Sequence, residues 1–366
     1  MTPRYDGENI LAVIMRREGS VFFKRNVLGV SAVATMVALA TCAIVLPLEG
    51  VSDSEDDAVI RPELHAMVGF GLTFLLSFRA SIAYGRYFEG LTALTSMRSA
   101  VTNGISMTLG AMPNTPQRRD VILLFRILYQ SMSNVLQGTC GLDYLAPDLI
   151  EPATPFGLTV VPPTEWPSVV SSLLNQRLLI QDMAAPSQED VKRLNFFRHT
   201  SRLYDAASTA IDAFHSGTRV SATQMPFPFV QTLYVILIVF LLTLPLTLVR
   251  SLGWLTPVAL LLISVAFSSI DAIAAELDEP FGTDANDLDL DLVEHEFHTT
   301  IATMVATIEG VEDQLAANYR ANLPNFALSG DALAGKANQA GATHAAATDA
   351  KPAPPTTPMT PHRDPL

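Results

Sequence analysis

Charge is scarce in this chain. Of 366 residues, 16% are charged and 49% are hydrophobic, and the mean hydropathy is +0.30. A soluble domain carries about 25% charged residues, so the deficit points to a membrane protein. Basic residues are missing altogether between Asp271 and Asp313, where thirteen acidic side chains stand without a Lys or Arg. That gap and the net charge of −13 exclude a generic nucleic-acid binder, whose footprint would be basic. The two cysteines, Cys42 and Cys140, are too few for a disulfide framework or a thiolate metal site. A Gly-rich phosphate loop, a Ser nucleophile elbow and a Walker motif are all missing, which favours ion permeation over an enzyme, because permeation needs no nucleophile. The pattern of a cleavable signal peptide is missing too. The opening residues mix Arg4, Asp6, Glu8, Arg16, Arg17 and Glu18, so the first apolar run is expected to be an anchor.

What is present is apolar and helical in period. Residues 26–48 carry no charge, enough to span about 30 Å of hydrocarbon. Gly29, Ser31 and Ala34 would let a neighbouring helix approach closely. The acidic loop 49–63 ends this span, and residues 64–89 form the next helix. There Phe70, Phe74 and Phe78 fall at i, i+4 and i+8, drifting only about 40° per step into one aromatic stripe. Spacing alone leaves two readings: packing against a helix or lipid, or a hydrophobic constriction facing a pore.

Residues 84–225 are soluble in character, with helical periodicity over 121–134, 169–181 and 190–214. Pro226-Phe227-Pro228 marks the next helix start. Two further spans follow, 229–249 and 255–270, separated by Ser251-Leu252-Gly253-Trp254. Residues 294–319 predict one more helix, and an Ala/Pro/Thr-rich tail from about 325 is expected to be disordered. The expected divisions are thus a cytosolic segment 1–26, transmembrane helices 1 and 2 over 27–83, and a cytosolic helical domain 84–225. Transmembrane helices 3 and 4 over 226–271, an acidic cytosolic segment and helix 272–324, and the tail 325–366 complete them. Basic residues before the first span and after the second, against the acidic 49–63 loop, put both termini and the 84–225 domain on the cytosolic side.

Two clusters could carry metal chemistry. His295-Glu296-Phe297-His298 lacks the i, i+4 spacing of a metalloprotease helix and reads as an acidic surface helix. Glu276, Glu279, Asp284 and Asp287, set among Gly and Pro, suit an oxygen-ligated cation such as calcium. The competing reading makes Asp284 and Asp287 caps for the following helix.

Several stretches together resemble the bestrophin family, including its bacterial, fungal and plant-type members. Phe78-Arg79, followed by Tyr84-Gly85-Arg86-Tyr87-Phe88-Glu89, is similar to the family's second-helix pattern. Glu18-Gly19-Ser20-Val21 resembles the Gly-Ser pair ahead of the first span, and Pro226-Phe227-Pro228 the opening of the third. Asp278-Glu279-Pro280-Phe281-Gly282-Thr283-Asp284-Ala285-Asn286-Asp287-Leu288 closely resembles the acidic-Pro-Phe-Gly signature.

The resemblance implies an all-α integral membrane protein with four transmembrane helices per subunit and a cytosolic helical domain between the second and third. It implies a homopentamer embedded in lipid around one central pore, passively conducting chloride and other monovalent anions, with bicarbonate a further candidate. Phe70, Phe74 and Phe78 match the neck, a stripe of three large apolar residues. Arg79, Tyr84, Arg86 and Glu89 match residues that flank it or hold it in place, and Thr200 and Leu203 fall near a second, cytosolic constriction. Calcium is the gating ligand implied by animal members, with Asp284 and Asp287 as carboxylate ligands and Glu276 and Glu279 giving backbone oxygen. A carbonyl near Pro3 would complete that clasp, although Glu replaces amide residues at 276 and 279. Two alternatives stand beside the anion channel: a cation-conducting homologue, given the acidic 271–313 region, and a non-conducting scaffold binding a partner through 84–225. The resemblance does not separate a plasma or inner membrane from an organellar (thylakoid) one.

Overall fold

The computed structural model describes residues 17, 19–48, 62–139, 145, 149, 158, 161–184 and 190–345; for 181–184, 190–199 and 318–345 the backbone alone is described. All regular structure among the described residues is helical. A 3-10 turn, Val21–Phe23, leads into α1, Arg25–Leu48. Then come α2, Pro62–Ala111; α3, Pro116–Gln137; and α4, Trp166–Ala184, entered through the 3-10 turn Pro163–Glu165. Helices α5, Asp190–Ala222; α6, Phe227–Leu252; α7, Thr256–Leu277; and α8, Leu290–Ala345 complete the order.

Among the described residues three stretches are long and apolar enough to cross a membrane: Arg25–Pro47, Pro62–Ala111 and Phe227–Leu277. The last is two helices, because a 3-10 turn at Gly253–Leu255 divides α6 from α7. Gly253 sits at φ +52°, a left-handed value that glycine adopts without a Cβ penalty. The four apolar helices share one core, in which Ala34 and Ala38 of α1 and Leu72 and Leu76 of α2 meet Leu237 and Phe240 of α6 and Leu260 of α7. The small alanines of α1 allow the close approach that its sequence promises.

The expected boundary at residue 84 falls inside a helix. Helix α2 runs unbroken for 50 residues, from Pro62 to Ala111. Nothing after Pro62 interrupts it, and its buried stripe changes neighbours without ending. Leu72, Leu76, Arg79 and Ala83 are buried in its first half; Ala93, Met97, Val101 and Ile105 continue the stripe in the second. Residues 84–225 therefore do not stand as a separate body: the chain divides into the units Met1–Met304 and Val305–Leu366. In the first unit α2 packs on α5, where Leu203, Ala207, Ala210 and Phe214 form the buried stripe. Gly104 of α2 lies so close to Phe125 of α3 that a Cβ there would stand 2.6 Å from the ring.

The second unit continues as helix to Ala345, beyond the expected start of a disordered tail at 325; the Ala-rich composition of this stretch favours helix. At its other end α8 is capped by Asp289, whose carboxylate accepts a hydrogen bond of 3.0 Å from the Leu292 N–H. That bond holds the Asp289 carboxyl below its usual range. The cap is thus neither Asp284 nor Asp287.

Candidate functional site

The aromatic stripe lies on the outside of the chain. Phe70, Phe74 and Phe78 are 79%, 65% and 49% exposed, while Leu72 and Leu76 on the opposite side of α2 are buried. Among the described residues no other helix of the chain covers Phe70 or Phe74, so packing within the subunit does not explain them. The Phe74 and Phe78 rings stack 6.4 Å apart, and Phe229 meets Phe78 edge-on at 6.2 Å. The exposed face continues down the helix through Ser81, Gly85, Phe88, Thr92 and Ser96. At that level a groove of about 440 Å³ opens between α2 and α5, lined by Phe88, Thr92, Ser96, Ser216 and Arg219 among others.

Behind the stripe every arginine of α2 is tied down. Arg79 is buried and donates to Asp271 of α7, with its guanidinium 5.3 Å from the Tyr234 ring centre. Arg86 pairs with Asp278 at 2.6 Å and donates to the backbone oxygens of Val220 at 2.9 Å and Asp278 at 3.1 Å. Arg98 reaches Glu296 at 3.4 Å. Glu89 does not hold Arg79 or Arg86 but Arg219 of α5, at 2.8 Å. Tyr84 is exposed beside Phe88, ring centres 6.3 Å apart. Sequence reasoning misses Asp271 and Arg219, though a lone acid closing an apolar helix invites a search for its buried partner.

Thr200 and Leu203 are both buried within the subunit. Their i, i+3 spacing puts them on the face of α5 that packs inward with Ala207 and Ala210, so neither presents a side chain to a water-filled path in this chain.

The acidic loop after α7 is a compact turn. The Leu288 N–H donates to Pro280 O at 2.9 Å, and the Asp284 N–H donates to an Asp287 carboxylate oxygen at 2.7 Å. Burial pushes the Asp287 carboxyl above its usual range, opposed by that backbone hydrogen bond. Lys24 reaches in from the start of α1, paired with Glu276 and with Asp284, the latter at 3.3 Å. Asn286 donates to Glu276 at 2.8 Å and to Gly19 O at 3.0 Å. Gly19 takes φ +71°, and a Cβ there would stand 2.7 Å from the Asn286 amide oxygen. These residues do not fit the calcium clasp: of its two carboxylates, Asp284 faces the Lys24 ammonium and Asp287 is bound by a backbone N–H. Among the described residues no group of three or more His, Cys, Asp or Glu is arranged to hold a metal ion. Pro3 lies outside the described residues.

A second cluster joins α3 to α8. Glu294 accepts from Gln130, and the Tyr129 and Phe297 rings lie 4.1 Å apart. Burial, with a smaller contribution from Asp291, pushes the Glu294 carboxyl up to about 7. His298, half of the apparent zinc pair, instead contacts Arg126 at 3.3 Å.

Long apolar helices packed around one core, with an aromatic stripe left open and charges neutralised behind it, define an all-helical membrane protein. Its sequence matches the profile of the Bacterial/Fungal Bestrophin protein family over residues 3–315, and the chain belongs to that family. A Mesorhizobium japonicum relative called a voltage-dependent anion channel-forming protein is 27% identical over 62% of this chain and 69% of its own. The Escherichia coli K12 relative YneE, described in the same words, is 28% identical over 62% and 71%. A bacterial bestrophin homologue from Klebsiella pneumoniae, solved as a point variant, superposes with a TM-score of 0.64 at 20% identity. The match covers 76% of this chain and 99% of the homologue, and supports the fold.

Proposed function

We propose that this protein is a channel that passively conducts monovalent anions, chloride foremost and bicarbonate as a further candidate, through the centre of a homopentamer. The observation that carries this reading is the open stripe of Phe70, Phe74 and Phe78, which its own subunit leaves uncovered. Family membership and the relatives named as anion channel-forming proteins support the same conclusion. Around a shared axis, five such stripes would make a narrow neck. Ring edges carry partial positive charge and suit an anion that sheds part of its water. The four apolar helices would cross the membrane, with the lower half of α2 and helices α3–α5 on the cytosolic side.

Arg79, Arg86 and Arg98 each have a carboxylate partner, so selectivity falls to the rings and not to free basic charge. The acidic 271–313 segment favours the rival reading, a cation-conducting homologue. Purified protein in liposomes tests both. Dissipation of a chloride gradient, with a reversal potential that follows chloride, supports the anion channel; a potential that follows potassium supports the rival. Silence in both assays would favour a non-conducting scaffold.

A further inference from the structure

We infer that Lys24 is a built-in cation that closes the junction between the start of α1 and the acidic loop after α7, taking the role that a metal ion would otherwise have to fill. Three observations carry this. The Lys24 ammonium contacts Asp284, one of the two carboxylates that the calcium reading needs, and the carboxylate of Glu276, a residue that the reading uses through its backbone. Glu276 is almost fully buried, so a positive partner is required if it stays charged there. The same two segments are also joined through neutral groups, since Asn286 bridges Gly19 O and Glu276. The ammonium is held in its charged form as well. Burial is the largest single influence and lowers its pKa, yet Glu276 and Asp284 together outweigh it and leave the pKa raised.

The junction bears on the pore helix. Pro280 and Phe281 press against Gly90 of α2, where an added Cβ would stand 2.9 Å from Pro280. Arg86, two turns below Phe78, is bound to Asp278 at the start of the same loop. Lys24 is therefore a positioning residue: it fixes a loop that packs on α2 immediately beyond the aromatic stripe. The consequence, conduction that ignores calcium, rests on the channel reading; the clasp itself does not.

The test is the thermal unfolding of purified full-length protein in detergent, with millimolar calcium or with a chelator. Wild type is expected to melt identically in both. Lys24→Gln should lower the melting temperature by about 2 °C or more, and Lys24→Arg should restore it. In a Glu276→Gln, Asp284→Asn background, Lys24→Gln should cost nothing further, because the partners are gone. A chelator that lowers the wild-type melt, or a Lys24→Gln effect equally large in that background, overturns the proposal. Chloride flux through wild type in liposomes, with and without calcium, is read separately. A protein that never conducts refutes the channel and leaves the melting result standing.

Discussion

Removing Asp271 should damage this protein more than almost any other single polar change. Asp271→Asn keeps the shape of the side chain but leaves the Arg79 guanidinium without a counter-charge, at a site where its side chain is only 7% exposed. Deleting one partner of a buried ion pair costs about 3–5 kcal/mol, chiefly because the survivor remains charged and desolvated. The loss of about 3–5 kcal/mol corresponds to a fall in melting temperature of at least about 4 °C. Replacing both partners, with Arg79→Leu and Asp271→Leu, should recover most of the loss, since an apolar pair carries no desolvation cost. The assay is a double-mutant cycle of Arg79→Leu, Asp271→Leu and the two together, with Asp271→Asn beside it, read by detergent melting. If Asp271→Asn melts like wild type, or the double variant is as damaged as the two single losses added together, the pair is not coupled and the reasoning fails.

Replacing Phe70, Phe74 and Phe78 together by Ala should raise chloride flux severalfold while moving the melting temperature little, because no subunit core is lost; unchanged flux would return the stripe to mere packing. Glu294 gives a pH signature. Its carboxyl is raised from 4.5 to about 7, so the folded state binds the extra proton, and stability should fall as pH rises through that window and level off above it. Glu294→Gln should flatten the slope and gain up to about 2 kcal/mol above pH 7 after allowance for partial exposure, which melting across pH would detect. Gly104→Ala should cost about 1–3 kcal/mol, read by the same melts, because the new methyl would meet the buried Phe125 ring at 2.6 Å.

The apolar helices are legible in the sequence because their signal is composition over a long window; the structure starts each within about two residues of its expected position, but carries α2 on to Ala111 and α7 to Leu277. The acidic loop is legible as a motif but not as an object. Its pattern of carboxylates suits a cation, and only the fold reveals that Lys24, more than 250 positions away, already occupies that role. The aromatic stripe can be read from spacing, yet its exposure cannot, since i, i+4 periodicity says which residues share a face and not what covers it. Thr200 and Leu203 show the opposite limit: resemblance sets them near a constriction, and the packing of α5 turns them inward. The expected boundary at 84 falls inside α2, because a rise in polar content does not end a helix. In α2 the polarity changes with the surroundings, while the backbone simply continues.

That continuity has a mechanical meaning. A helix of 50 residues is a rod about 75 Å long, and without an interior proline it bends gently and has no joint. A twist applied near Ile105 meets no proline hinge on the way to Phe70. The aromatic rings and the far end of α2 must turn as one piece, so whatever grips either end sets the other.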